Sequence, residues 1–97
     1  MLALLLAALL WSDAAVITPA GETVALGQTI RCTNNDPSET MGVEFTLGDE
    51  VIYTQTVTPG EVGSWTVPNN NALVGATVGV RVNGNLWRSF TIAFPPL

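Results

Sequence analysis

Eight carboxylates, three arginines and a single thiol are the chemically reactive residues of this 97-residue chain, which has neither histidine nor lysine. The missing histidine removes the commonest general base, and the missing lysine removes the usual Schiff-base nucleophile. Any catalysis would have to run on carboxylates or on Ser, Thr and Tyr hydroxyls. Asp49-Glu50 together with Glu61 is the one acid–base arrangement to consider, because paired carboxylates hydrolyse glycosides. Adjacent acids at a hairpin tip have a plainer reading as exposed charges that discourage edge-to-edge strand pairing. Asp36 and Glu39, and Asn83 and Asn85, are oxygen-bearing loop residues of the kind that ligate calcium, although the alternating Asp/Asn spacing of a calcium loop is absent. Solvated turn residues are the expectation there, and no cofactor or metal is expected. Cys32 has no partner for a disulfide and too few companions for a structural zinc site, so it reads as a small buried hydrophobe. Trp65 and Trp87 could stack on a sugar ring. Trp65 shares a face with Val67 and is expected in the core.

These residues sit on short strands. With 47% apolar and 11% charged residues, the surface must be largely Thr, Asn, Ser and Gly, a composition suited to a β-rich domain. Val78, Val80 and Val82 recur at period two, and Asn83-Gly84 supplies the positive-φ pair of a tight hairpin, after which Leu86 to Phe94 runs back. Alternation places Phe90, Ile92 and Phe94 inward and Trp87 outward, which makes Trp87 a contact candidate unless a bulge turns it into the core. Upstream, Ala15–Thr18 reads as a first strand ended by Pro19-Ala20-Gly21. A second runs from Thr23 through Gly27 to Thr33 with Ile30 and Cys32 inward, and Asn34 to Glu39 is a loop. Gly42 to Leu47 alternates with Val43, Phe45 and Leu47 inward. Gly48-Asp49 connects it to Glu50–Val57, and Pro59-Gly60 precedes Ser64–Val67. No helical period occurs in this part of the chain. Seven or eight such strands, each apolar on one face, need a facing sheet and predict an antiparallel β-sandwich spanning residues 15–97, with a closed barrel as the structural alternative.

Met1 to Trp11 differs from everything after it: a run of helix formers containing six leucines and no polar break. Left in water, those leucines would forgo on the order of 10 kcal/mol. Residues 1–14 are therefore removed, embedded or covered. A secretory signal ending near Ser12-Asp13-Ala14 is one reading, although no basic residue precedes the apolar run. A membrane span is a poorer one, since eleven helical residues reach only about 16 Å of roughly 30 Å of hydrocarbon. With Met1 still at its head, an arm docked into a neighbouring subunit leads, its contacts made by Leu5, Leu6, Leu9, Leu10 and Trp11, with Trp87 as a further contact on the domain.

Gly27-Gln28-Thr29-Ile30-Arg31-Cys32-Thr33, and Gly63 to Pro68 followed by Leu73 to Val82, resemble bacterial and bacteriophage immunoglobulin-like domains. The resemblance covers residues 15 to 94. Val78 or Val80 stands where an antibody-type domain places its second cysteine, and Phe45 where it places a core tryptophan. The resemblance implies an immunoglobulin-like β-sandwich that adheres, spaces or decorates and does not catalyse.

The expectation that follows is a non-enzymatic structural protein, a small virion decoration or cement subunit bound to other subunits of a capsid or tail, copies of itself among them. A net charge of −5 and only three arginines argue against nucleic acid as a partner. The alternative is an exported adhesion or carbohydrate-binding module, secreted or at the cell surface, with residues 1–14 cleaved. A membrane tether is the lesser alternative.

Overall fold

A computed structural model describes residues 14–96, which form eight strands in two sheets. The strands are β1 (Ala15–Thr18), β2 (Thr23–Ala25), β3 (Thr29–Asn34), β4 (Met41–Leu47), β5 (Glu50–Val57), β6 (Val62–Thr66), β7 (Thr77–Val82) and β8 (Asn85–Ala93). One sheet has the order β1-β3-β6 and the other β2-β8-β7-β4-β5, so that no ladder joins the two. The fold is all-β and sandwich-like, as the alternating runs require.

The dry faces meet in one core. Ile30 and Cys32 of the three-stranded sheet are fully buried, as are Val43 and Phe45 of β4, Val78 and Val80 of β7, and Phe90 and Ile92 of β8. The β7–β8 hairpin forms as its valine spacing dictates, with Asn83 at φ 51° and Gly84 at φ 85° supplying the two left-handed residues of the turn.

Four expectations need correction. The run Thr23 to Thr33 is two strands in different sheets: Gly27, at φ 81°, turns the chain, and the Gln28 carbonyl accepts from Val67 N–H, so β3 starts beside β6 and not beside β8. The sandwich is not wholly antiparallel, because β2 runs parallel to β8. After β1 the chain changes sheets through Pro19 to Glu22 and reaches the edge beside β8. Asn34 is the buried last residue of β3, not part of the loop that follows. Phe94 is 59% exposed. β8 ends at Ala93, whose carbonyl accepts from Leu26 N–H, and the prolines that follow have no N–H with which to extend the ladder. A single 3-10 turn at Asn71–Leu73 is the one helical element among the described residues, opened by the Asn70 side chain accepting from Ala72 N–H.

Arg88 fastens the crossing between the sheets. It lies on the inward face of β8, opposite Val80, with its guanidinium 4.7 Å from the Phe90 ring centre. The same group donates to the carbonyls of Ile17 and Pro19, at 3.3 Å each, and to that of Gly21. A cation otherwise out of place between sheets thereby satisfies the carbonyls freed where the chain leaves β1.

Candidate contact surface

The acidic residues do not converge. Glu50 opens β5 and Glu61 follows its end, so an eight-residue strand, on the order of 25 Å long, separates them. Glycosidase carboxylates stand roughly 5 to 10 Å apart. Asp36 is occupied locally: its carboxylate accepts from the amides of Ser38 and Glu39, both at 2.9 Å, and these bonds hold its pKa below the ordinary aspartate value. The Asn83 side-chain oxygen accepts from Gly42 N–H at 2.9 Å, which ties the β7–β8 turn to β4. Among the described residues, no three His, Cys, Asp or Glu side chains stand close enough to hold a metal ion. Cys32 is fully buried, and desolvation raises its thiol pKa, which disfavours the reactive thiolate.

Several large apolar side chains stand exposed at the surface. On the outer face of the five-stranded sheet, two β-bulges flank the same cross-strand neighbours. One lies on β5 opposite the Phe45–Thr46 step, and the other on β8 opposite the Val80–Arg81 step, where Phe45 pairs with Val80. Each bulge opposes two residues to one and so turns an additional apolar side chain outward. Val51 and Ile52, at the first, are 42% and 36% exposed, and Leu86 and Trp87, at the second, are 62% and 38% exposed. Between the pairs lie Thr46 and Gly79. Gly79 keeps that centre flat: a Cβ there would come within 2.5 Å of Thr46 Oγ1 and 3.2 Å of a Leu86 methyl. Beside this row is a shallow hollow of about 330 Å³, lined by Gly42, Val43, Glu44, Thr54, Thr56 and Asn83 among others.

A second apolar feature lies at the β5–β6 edge. Tyr53 and Trp65 stand on either side of buried Phe45, with ring centres 6.1 and 6.0 Å from it. Tyr53 is 41% exposed and Trp65 half-buried, so the Phe45 cluster reaches the surface there.

Of the contact residues expected from the sequence, Leu5, Leu6, Leu9, Leu10 and Trp11 lie outside the described residues. Trp87 is at the surface, and it stands at a bulge. Val51, Ile52, Tyr53 and Leu86 escape a reading by alternation. The signal for the first three was nonetheless present: Val51-Ile52-Tyr53 are consecutive apolar residues, which strict alternation cannot all place on one face. In comparisons with family models, with curated proteins and with solved structures, the chain matches none of them.

Proposed function

We propose that this chain is a non-enzymatic structural and interaction protein, an immunoglobulin-like β-sandwich subunit that works by contact inside a large assembly. The setting implied by the sequence resemblance is a virion, where a small decoration or cement subunit of this kind joins neighbouring capsid or tail subunits, with the apolar segment 1–14 inserted into a neighbour. The observation that carries the contact reading is the exposed row Val51, Ile52, Leu86 and Trp87 on a sheet face that would otherwise be polar. The immunoglobulin-like assignment is supported by strand order. β1, β3 and β6 correspond to the A, B and E strands of that architecture, while β5, β4, β7 and β8 correspond to a C′-C-F-G sheet.

Isolation from the native source tests the proposal. The expected result is a chain whose intact mass includes residues 1–14 and which sediments with a particle far larger than itself. A soluble monomer beginning near Ala15 overturns it and leaves the exported adhesion or carbohydrate-binding module, with Trp87 and the hollow beside Glu44 as the surface to test for glycans.

A further inference from the structure

The two layers of the sandwich are unequal, three strands facing five, and the mismatch falls partly at the β5–β6 edge. Tyr53, Gln55 and Val57 form the inward-facing set of β5, in register with Phe45, Val43 and Met41. Val57 is buried, Gln55 half-buried and Tyr53 exposed, so cover fails progressively along the strand. The strands approach closely at one end, where a Cβ on Gly63 would lie 2.7 Å from a Val57 methyl. Farther along, Tyr53 and Trp65 pack on Phe45, itself fully buried, and their own partly exposed rings line the open side of β6, a slot for one more strand.

β6 is a free edge of its sheet. Gly63 and Trp65 lie opposite Cys32 and Ile30, and Ser64 N–H points away from β3, where it donates to Gln55 Oε1 at 3.1 Å. By ladder alternation, the N–H groups of Val62 and Thr66 point the same way. A side-chain oxygen thus stands where an adjacent strand would supply a carbonyl.

We infer that this slot receives the apolar segment Leu2–Trp11 of a second copy of the chain, added as a strand beside β6 so that its side chains cover Tyr53 and Trp65. The inference rests on the contact function proposed above and names the receiving surface. Thirteen residues precede Ala14 and span about 43 Å when extended, whereas the β6 edge needs only about 17 Å. The segment joins the domain at Ala14, whose carbonyl accepts from Asn35 N–H at the start of β1, the opposite edge of the same sheet. To reach the slot of its own copy it would have to cross over β1 and β3, two strand spacings or about 10 Å, whereas the slot of a second copy is entered without that crossing. No charged residue lies between Leu2 and Ser12, and Tyr53, Gln55, Gly63 and Trp65 bring no formal charge to meet it. Each copy carries one donor segment and one acceptor edge, so the exchange closes as a reciprocal dimer or runs on head-to-tail as a ring or a filament. Main-chain bonds to the edge give affinity, and the aromatic slot selects the apolar side chains.

The test compares self-association of the full chain by sedimentation velocity with that of Leu6→Glu and Tyr53→Glu, each checked for its β-sheet circular dichroism. Both substitutions are expected to weaken association at least about tenfold. Loss with Leu6→Glu but not with folded Tyr53→Glu places the segment elsewhere and overturns the slot while leaving the arm reading intact. A full chain that remains monomeric, or one that Leu6→Glu leaves associated, overturns the arm reading and this inference with it. Cysteine pairs keep the test decisive if Tyr53→Glu does not fold: Ser64→Cys is combined in turn with Leu4→Cys, Leu5→Cys, Leu6→Cys and Ala7→Cys, against a background of one buried native thiol. Disulfide-linked oligomers on non-reducing gels are expected for alternate positions. Cross-linked monomers would place the segment in its own slot and overturn the second copy. Absence of any cross-link would overturn the slot.

Discussion

The side-chain amide of Asn34 donates to the main-chain carbonyl of Val57 at 2.9 Å, so a residue at the end of β3 in one sheet holds the last residue of β5 in the other. The same nitrogen donates to the Glu39 carbonyl at 2.8 Å, and the side-chain oxygen accepts from Asp36 N–H at 2.9 Å. Asn34 is fully buried with its amide engaged on both atoms. Asn34→Leu leaves the Val57 carbonyl unpaired and is expected to cost about 2 to 4 kcal/mol, read as a lowered urea midpoint with little change in slope. Asn34→Asp is expected to cost at least as much, because its carboxylate meets two carbonyl oxygens without a proton to donate. A loss under about 0.5 kcal/mol for both would show that the clamp is not structural.

Gly79 and Thr46 are coupled by space. Gly79→Ala is expected to cost about 1 to 3 kcal/mol, because a Cβ there lies 2.5 Å from Thr46 Oγ1 and the buried, β-branched Thr46 has few rotamers with which to yield. Combining it with Thr46→Gly removes the obstruction, so the double substitution should be less destabilising than the sum of the singles. Additivity in that cycle, measured by denaturant unfolding, would contradict the crowding argument.

Arg88 is expected to tolerate lysine poorly. Its planar fork reaches the carbonyls of Ile17, Pro19 and Gly21 together, whereas one ammonium cannot reproduce that spread. Arg88→Lys should speed hydrogen exchange selectively in β1 and β2, while β4 and β7 stay protected. Uniform exchange across the domain would show that Arg88 does not act locally on the crossing.

Stability should respond to acid through Asp36. The Ser38 and Glu39 amides favour its ionised form, so its folded pKa lies below its unfolded one. The stabilisation is complete above the unfolded value and is lost as the pH falls through the folded one. Asp36→Asn should therefore flatten the acid limb of stability against pH. An unchanged limb would assign acid sensitivity to other carboxylates.

The thiol of Cys32 should react with a soluble disulfide reagent only when the domain opens, since it is buried and its pKa is raised. Labelling should accelerate with denaturant in step with unfolding. Fast labelling in native buffer would mean that β3 opens locally.

Much of this architecture was legible in the chain because periodicity and turn chemistry are local. The alternation of Val78, Val80 and Val82 and the Asn83-Gly84 pair specify the β7–β8 hairpin without reference to other residues. The inward positions of Ile30, Cys32, Val43 and Phe45 follow in the same way. Tertiary structure decided the rest, through partners distant in sequence. Thr23 to Thr33 splits between sheets because Leu26 bonds to Ala93 while Gln28 bonds to Val67. Asn34 resembles a loop residue until Val57 and Glu39 surround it. Val51, Ile52, Leu86 and Trp87 become one outward row only because two bulges interrupt alternation at neighbouring steps of paired strands. Period two sorts side chains between the faces of a single strand, but it contains no information on which strands adjoin or where an additional residue is accommodated, and those two choices created both the exposed row and the open edge.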